Sequence, residues 1–173
     1  ITQRNRNGLL FTNPLVDGIK TGQTDAAGYN LVASAKDGET RLVAVILGAD
    51  GVRSREEQAD ALLKWGFRNF ATVVAAREGE EVAEARVFKG RVPRLTAVPG
   101  ATLRVTVERD LLGSLEKRVE LRRPLVAPVA QRQVVGHLVV SAGGREVGRA
   151  PLVAEAAVPR GNVFKVVLDS LRL

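Results

Sequence analysis

The first fifty residues alternate short apolar runs with turn signals. Three of these runs, at 15–19, 29–35 and 41–47, have the length of β-strands. Asp37-Gly38 separates the last two runs. This dipeptide is typical of a two-residue hairpin turn, because glycine accepts a positive φ without steric cost. We therefore expect the last two runs to pair as antiparallel strands.

After residue 53 the spacing of apolar residues changes to that of a helix. Ser54 followed by Glu57 has the pattern of a capping box. The apolar residues that follow form a broad stripe: Ala61, Leu62, Trp65 and Phe67. Together these features predict a helix from about residue 55 to residue 69, packed on the preceding sheet with Trp65 in the core.

Residues 71–160 return to short strand-like segments broken by Gly and Pro. The segments lie at 72–88, 102–109, 117–122 and 133–154. Gly143-Gly144 is a second candidate for a hairpin turn. Strands of this length and spacing predict a small antiparallel sandwich or barrel, with the domain boundary near 70–75.

The last segment, residues 161–173, has helical spacing again. Its apolar residues fall at i, i+3, i+4 and i+7: Phe164, Val167, Leu168 and Leu171. With basic residues around them, they predict a short amphipathic helix that attaches weakly to an anionic membrane surface. The alternative is a terminal helix docked on its own domain.

Composition describes an ordinary globular chain, with 45% hydrophobic and 26% charged residues. No apolar run approaches the roughly 18 residues of a membrane-spanning helix, and the opening reads as the middle of a domain rather than as a leader. Cysteine is absent, which excludes disulfides and thiol chemistry. The one histidine, His137, cannot form a histidine-based metal site unaided, so we interpret it as structural and expect no metal.

The net charge of +7 is concentrated in the second part of the chain. Residues 71–173 contain 17 Lys and Arg against 11 Asp and Glu. Such an excess indicates an anionic partner, or simply an arginine-rich solvated surface. Only two aromatic residues, Phe88 and Phe164, occur there, which disfavours a base-stacking nucleic-acid surface.

Four stretches carry a resemblance to a known family: NRNGLLFTNP, VDGIKTG, TDAAGYNLVASA and LLKWGFRNF. They follow one another at the spacing found in low-molecular-mass penicillin-binding proteins of the type 5/6 subgroup, the serine-type D-alanyl-D-alanine carboxypeptidases. The resemblance is dense over 5–70 and thinner over 71–160. It implies an α+β fold: a partial penicillin-binding/β-lactamase-like antiparallel sheet with one helix in 1–70, a β-sandwich domain in 71–160, and the start of an amphipathic membrane anchor in 161–173.

The resemblance also implies roles for five residues. Lys20, Thr21 and Gly22 match the family's Lys-Thr-Gly motif. Lys20 would hold the catalytic hydroxyls in a positive field, Thr21 would bind the substrate carboxylate, and Gly22 would leave room for substrate. Gln23, where many relatives have histidine, would supply an oxyanion-hole N–H. Arg55 would help to receive the carboxylate; otherwise it is a solvated residue in the first helical turn.

The family's other two motifs are not found at their expected place. No Ser-x-Asn occurs, and the one Ser-x-x-Lys, at Ser114 and Lys117, follows Lys-Thr-Gly and lies among strand signals. We interpret it as a chance match, because the family motif comes first and opens a buried helix. The nucleophile and its lysine partner are therefore expected outside residues 1–173, and this chain alone is predicted to be inactive.

The function implied by the resemblance is removal of the terminal D-alanine from peptidoglycan stem peptides through a serine acyl-enzyme, without a cofactor. The expected partners are stem peptides ending in D-Ala-D-Ala, β-lactams, a membrane surface, and the missing N-terminal part of the catalytic domain. The expected location is the periplasm, at the outer face of the inner membrane. Two alternatives stay open: a non-catalytic module binding the cell wall or a membrane surface, and a basic nucleic-acid-binding β domain.

Overall fold

The computed structural model describes residues 2–162 and residue 170. The predicted C-terminal amphipathic helix therefore lies outside the described residues. By its internal contacts the chain divides into two compact units. The first is Ile1–Val73 with Thr106–Arg109, and the second is Val74–Val105 with Asp110–Leu173.

The first unit is a three-stranded antiparallel sheet with two helices. Its elements are α1 Leu9–Thr12, β1 Val16–Thr24, β2 Gly28–Asp37, β3 Thr40–Ala49 and α2 Val52–Asn69. The strand order is β1-β2-β3. Gly38 has a φ of 56° in the two-residue turn between β2 and β3, so the predicted hairpin is confirmed. The one-turn helix α1 was not predicted.

The packing of α2 corrects the predicted apolar stripe. Trp65 is 50% exposed, and Leu62 is 44% exposed, so neither fills the core. The residues that α2 buries at its closest approach to the sheet are Ala59, Leu63 and Gly66. A side chain added at Gly66 would meet Leu42 of β3. The small residues Ala59 and Gly66 allow the helix and the sheet to lie close together on this face.

The start of α2 corrects the predicted capping box. The helix begins at Val52, its N-cap is Gly51, and no side chain caps it. Ser54 lies inside the first turn, and its hydroxyl accepts a hydrogen bond from the Gln58 side chain at 2.9 Å. Glu57 pairs with Arg53 at 2.7 Å instead of reaching back to a cap. The side chains of the expected box therefore bond along the helix surface.

Between residues 70 and 162 the structure describes strands and one 3₁₀ helix, Arg109–Ser114. The strands are β4 Phe70–Ala76, β5 Ala83–Phe88, β6 Arg94–Pro99, β7 Leu103–Glu108, β8 Glu116–Leu121, β9 Leu125–Val126, β10 Val134–Ala142 and β11 Arg145–Ala154. Six of them form a sheet in the order β8-β10-β11-β6-β5-β9, and β4 pairs with β7. The α+β class with an all-β second part is confirmed.

The core of the second unit lies under this six-stranded sheet. Val87, Ala97, Leu138 and Leu152 are almost fully buried and belong to one apolar cluster. Gly143 and Gly144 both have positive φ, at 54° and 76°, in the turn that joins β10 to β11. The predicted second hairpin is therefore confirmed. β6 was not predicted, because Pro93 and Pro99 at its two ends read as strand breakers.

Candidate active site

The Lys-Thr-Gly motif lies on β1, the edge strand of the three-stranded sheet. Lys20 is opposite Val32, Thr21 is opposite Leu31 and Gly22 is opposite Asn30. Within the described residues, the other side of β1 is bordered by no strand. An extended ligand could therefore lie beside the motif and continue the sheet.

A cavity of about 550 Å³ opens beside this edge. It gathers all five residues singled out from the sequence, although they come from two separate elements. Its lining consists of Arg6, Lys20, Thr21, Gly22, Gln23, Val52 and Arg55. Strand β1 contributes the motif and Gln23, while the first turn of α2 contributes Val52 and Arg55. The chemical roles of these residues stay predictions.

The structure buries Arg55. Both interpretations of the sequence, as a carboxylate-binding residue and as a solvated residue, expected it at the surface of the domain. Arg55 is only 3% exposed. Its guanidinium donates to the carbonyl oxygen of Asn30 at 3.3 Å and to that of Arg6 at 3.1 Å. It also lies over the Tyr29 ring, 5.8 Å from the ring centroid. Arg55 therefore joins α2 to β2 and to the N-terminal segment while it presents charge to the cavity.

Arg6 is the charged cavity residue that the sequence did not single out. The segment around it is fixed by buried contacts. Asn7 is 3% exposed, and its side-chain oxygen accepts from the N–H of Leu9 at 3.2 Å. The backbone N–H of Gly8 donates to Glu56 of α2 at 2.7 Å. The only sequence signal for Arg6 was its position inside the first matching stretch, NRNGLLFTNP.

The charged side chains that line the cavity are all cationic: Arg6, Lys20 and Arg55. No carboxylate in the described part of the chain lines it. The ammonium of Lys20 donates to the backbone carbonyl of Thr21, which holds its charge along the strand. Three cations around one concave surface favour an anionic group, and guanidinium suits a planar carboxylate.

Strand β1 is tied to the other end of the sheet by a charged pair. Arg41 of β3 lies 2.8 Å from the carboxylate of Asp17 and 2.6 Å from the hydroxyl of Ser34. The hydrogen bond from Arg41, helped by that from Ser34, holds the pKa of Asp17 below its usual value. This pair fixes the strand three residues before the motif.

Ser114 and Lys117 occupy the second unit in a different arrangement. Ser114 ends the 3₁₀ helix, where its hydroxyl donates to the carbonyl of Leu111 at 2.8 Å and accepts from the N–H of Gly143 at 3.1 Å. Lys117 lies on β8, so the two side chains do not share a helix face. Both observations support reading this pair as a chance match that stabilises a turn.

Metal-binding clusters are absent from the described residues, which contain no group of three or more His, Cys, Asp or Glu side chains able to hold an ion. His137 lies half-buried in the middle of β10, opposite Glu120 on one side and Pro151 on the other. Among the helices of the described part, none has the length and apolar character needed to cross a membrane.

Comparison with protein families identifies both parts of the chain. Residues 1–51 match the family described as D-alanyl-D-alanine carboxypeptidase. Residues 70–160 match the family described as penicillin-binding protein 5, C-terminal domain, and this match covers more than half of the chain. The chain belongs to the penicillin-binding protein 5 family. It corresponds to the C-terminal portion of these D-alanyl-D-alanine carboxypeptidases.

Similar proteins extend over the whole chain. D-alanyl-D-alanine carboxypeptidase DacA of Escherichia coli K12 is 40% identical over 175 residues, which cover 100% of this chain and 43% of that protein. DacF of Bacillus subtilis is 31% identical over 87% of this chain and 39% of its own length. A crystal structure of penicillin-binding protein 5 from Haemophilus influenzae matches with a TM-score of 0.83 at 37% identity, covering 92% of this chain and 47% of that one.

The chain thus spans less than half the length of the curated carboxypeptidases it matches. Its Lys-Thr-Gly strand falls inside the part that matches the carboxypeptidase family. Membership in this family confirms the resemblance that the sequence indicated, and it does not favour a non-catalytic module.

Proposed function

We propose that the protein containing this chain is a serine-type D-alanyl-D-alanine carboxypeptidase, which removes the terminal D-alanine of peptidoglycan stem peptides and is acylated by β-lactams. The observation that carries the proposal is the cationic cavity beside the Lys-Thr-Gly edge strand. A peptide ending in D-Ala-D-Ala has a carboxylate at its end and an extended backbone. The cations of the cavity suit the terminal carboxylate, and the edge of β1 offers hydrogen-bonding groups to the extended peptide backbone.

The proposed chemistry is acyl transfer through a serine ester. The serine attacks the carbonyl carbon of the last peptide bond, the terminal D-alanine leaves with a proton, and water then hydrolyses the ester. Thr21, Arg6 and Arg55 hold the carboxylate, and Lys20 stabilises the charge near the attacking hydroxyl. The backbone N–H of Gln23 donates to the developing oxyanion, a contribution that is worth about 10²–10³ in rate at other acyl-transfer sites.

The nucleophile and its lysine partner belong, in this proposal, to a Ser-x-x-Lys motif outside residues 1–173.

The protein would act in the periplasm, at the outer face of the inner membrane. The apolar positions of the segment from residue 161 support attachment to anionic lipid. Co-sedimentation with anionic vesicles, before and after deletion from residue 162 onward, tests the attachment, and equal binding by both forms would contradict it.

The product of the complete gene tests the catalytic proposal. We expect covalent labelling by a fluorescent penicillin and release of D-alanine from a pentapeptide stem. Thr21→Val removes the hydroxyl but keeps the shape of the side chain, so kcat/KM for the peptide should fall at least about tenfold, the equivalent of one lost hydrogen bond to a charged group. Thr12→Val, on the exposed end of α1, is the matched control. Wild-type kinetics in Thr21→Val, or no labelling at all, would overturn the proposal.

A further inference from the structure

A second, larger cavity of about 1150 Å³ lies within the second unit. It is bounded by β5, by the start of β6 and by the segment that joins β8 to β9. Its charged lining residues are four arginines and one glutamate: Arg86, Arg94, Arg122, Arg123 and Glu84. None of these residues belongs to the candidate active site, so this cavity needs its own explanation.

The charges of this cavity are only partly neutralised. Glu84 pairs with Arg94 at 3.2 Å, which accounts for the one carboxylate. Arg122 and Arg123 are exposed, and their guanidinium groups make no ion pair or hydrogen bond with any residue that the structure describes. The cavity therefore carries excess positive charge, which would attract an anionic ligand.

Arg86 has a defined place in this cavity rather than a solvated one. Its guanidinium lies 4.6 Å from the centroid of the Phe88 ring, a cation–π arrangement that limits its motion. Apolar surface from Pro93, Leu121 and Pro124 continues beside the ring. A ligand that fits this lining has apolar groups as well as negative charge. A flat lipid surface would contact only the rim of the cavity and not its apolar floor.

The cavity also borders the edge of the six-stranded sheet. The terminal strand β9 pairs only with Val87 and Phe88, the last two residues of β5. The preceding residues of β5, Glu84 to Arg86, face the cavity on that side instead of another described strand. A peptide in extended conformation could lie there and add to the sheet, with alternate side chains pointing into the cavity.

We propose that this cavity binds an extended acidic segment of a partner protein, in which acidic residues alternate with apolar ones. The acidic side chains would pair with Arg122 and Arg123, and the apolar ones would pack on Phe88 and the neighbouring prolines. This binding site is independent of carboxypeptidase activity, because its residues lie in the other unit. It gives the β domain the function of recruiting the enzyme to a partner.

The test uses the product of the complete gene and a fluorescein-labelled decapeptide of alternating Glu and Val, followed by fluorescence anisotropy. We expect saturable binding that weakens with salt, because exposed charges are screened. Arg122→Glu/Arg123→Glu should raise the Kd at least about tenfold. Lys117→Glu/Arg145→Glu makes the same change in net charge at exposed positions outside the cavity and should change Kd less than about threefold. All four substituted residues are exposed, so both double variants should melt at the wild-type temperature. Arg122→Gln/Arg123→Gln removes the charges without reversing them and should give an intermediate Kd.

Three other results would overturn the proposal. Equal losses in the two double variants would mean that the peptide responds only to net charge. Equal binding of a decapeptide of alternating Glu and Gly would remove the role of the apolar floor. Binding of anionic phosphatidylglycerol vesicles, lost in the Arg122→Glu/Arg123→Glu variant while the peptide does not bind, would assign the cavity to a membrane surface.

Discussion

At the scale of single residues, packing within the fold does not require glycine at position 22. A Cβ atom added there would meet only the Cβ of Asn30, at an ordinary 3.8 Å. We expect Gly22→Ala to keep or slightly raise stability, by about 0.4–1 kcal/mol from the unfolded chain. The added methyl group would nevertheless obstruct a ligand lying along β1, so acylation by a β-lactam should slow.

Thermal melting and the second-order acylation rate of the complete gene product measure these two effects separately. Gly113→Ala is the matched control, because that glycine is exposed and has no atom within 4 Å of the added group. If Gly22→Ala acylated at the wild-type rate, the space beside Gly22 would not belong to the substrate.

Arg55 combines a structural contribution with its proposed role in binding. Arg55→Ala would remove the hydrogen bonds from this buried side chain to the carbonyl oxygens of Asn30 and Arg6, and each such bond contributes about 0.5–1.5 kcal/mol. We therefore expect a lower melting temperature as well as a raised KM for the peptide. Arg55→Lys keeps the charge but loses the planar donor pair, so it should recover KM better than stability. An unchanged melting temperature in Arg55→Ala would contradict the buried contacts.

The Asp17–Arg41 pair makes part of the stability dependent on pH. Because Arg41 lowers the pKa of Asp17 below 3.8 in the folded state, the carboxylate stabilises the fold above the unfolded pKa. That contribution is lost as the pH falls through the folded pKa. Asp17→Asn should therefore melt below wild type near pH 7, with the difference closing as the pH falls through the lowered pKa of Asp17 in the folded state. A difference that persisted at low pH would mean that packing, not charge, holds this end of β1.

At the scale of elements, β10 depends on a glycine for its pairing with β8. A Cβ atom added at Gly136 would collide with the carbonyl oxygen of Glu120 and come within 3.0 Å of the Leu121 Cα. Both are backbone atoms of the paired strand, so they cannot move aside independently. Gly136→Ala should destabilise the chain by about 1–3 kcal/mol, measured by urea unfolding. Gly113→Ala again serves as the control, and equal midpoints for the two variants would show that β8 can shift.

The elements that the sequence predicted are those with local causes. The turns at Asp37-Gly38 and Gly143-Gly144 depend on glycine backbone freedom, and both formed as expected. The buried face of α2 could not be predicted from side-chain size, because it depends on how closely Gly66 lets the helix approach β3. Arg6 could not be predicted for a similar reason. Its backbone carbonyl accepts a hydrogen bond from Arg55, 49 residues away in the chain.

At the scale of the whole molecule, the cavity beside β1 contains the groups that the proposal assigns to this chain, but neither the nucleophile nor its lysine partner. No serine lines it in the described part of the chain. Ser34 is buried and bound by Arg41, and Ser54 accepts a hydrogen bond from Gln58. Ser114 has its hydroxyl engaged in a turn. A serine must reach the acyl group that it attacks, and none of these three serines lines the cavity beside β1.

We therefore expect the isolated 173-residue chain to remain unlabelled by a fluorescent penicillin under conditions that label the complete gene product fully. Far-UV circular dichroism confirms that the chain is folded, and heat-denatured chain measures non-specific labelling. Stoichiometric labelling of the folded chain, abolished by Ser114→Ala, would show that Ser114 and Lys117 do act as nucleophile and base. Labelling that appeared only after the N-terminal portion of the gene product was added in trans would instead agree with the proposal, because that portion would supply the serine to the cationic edge of β1.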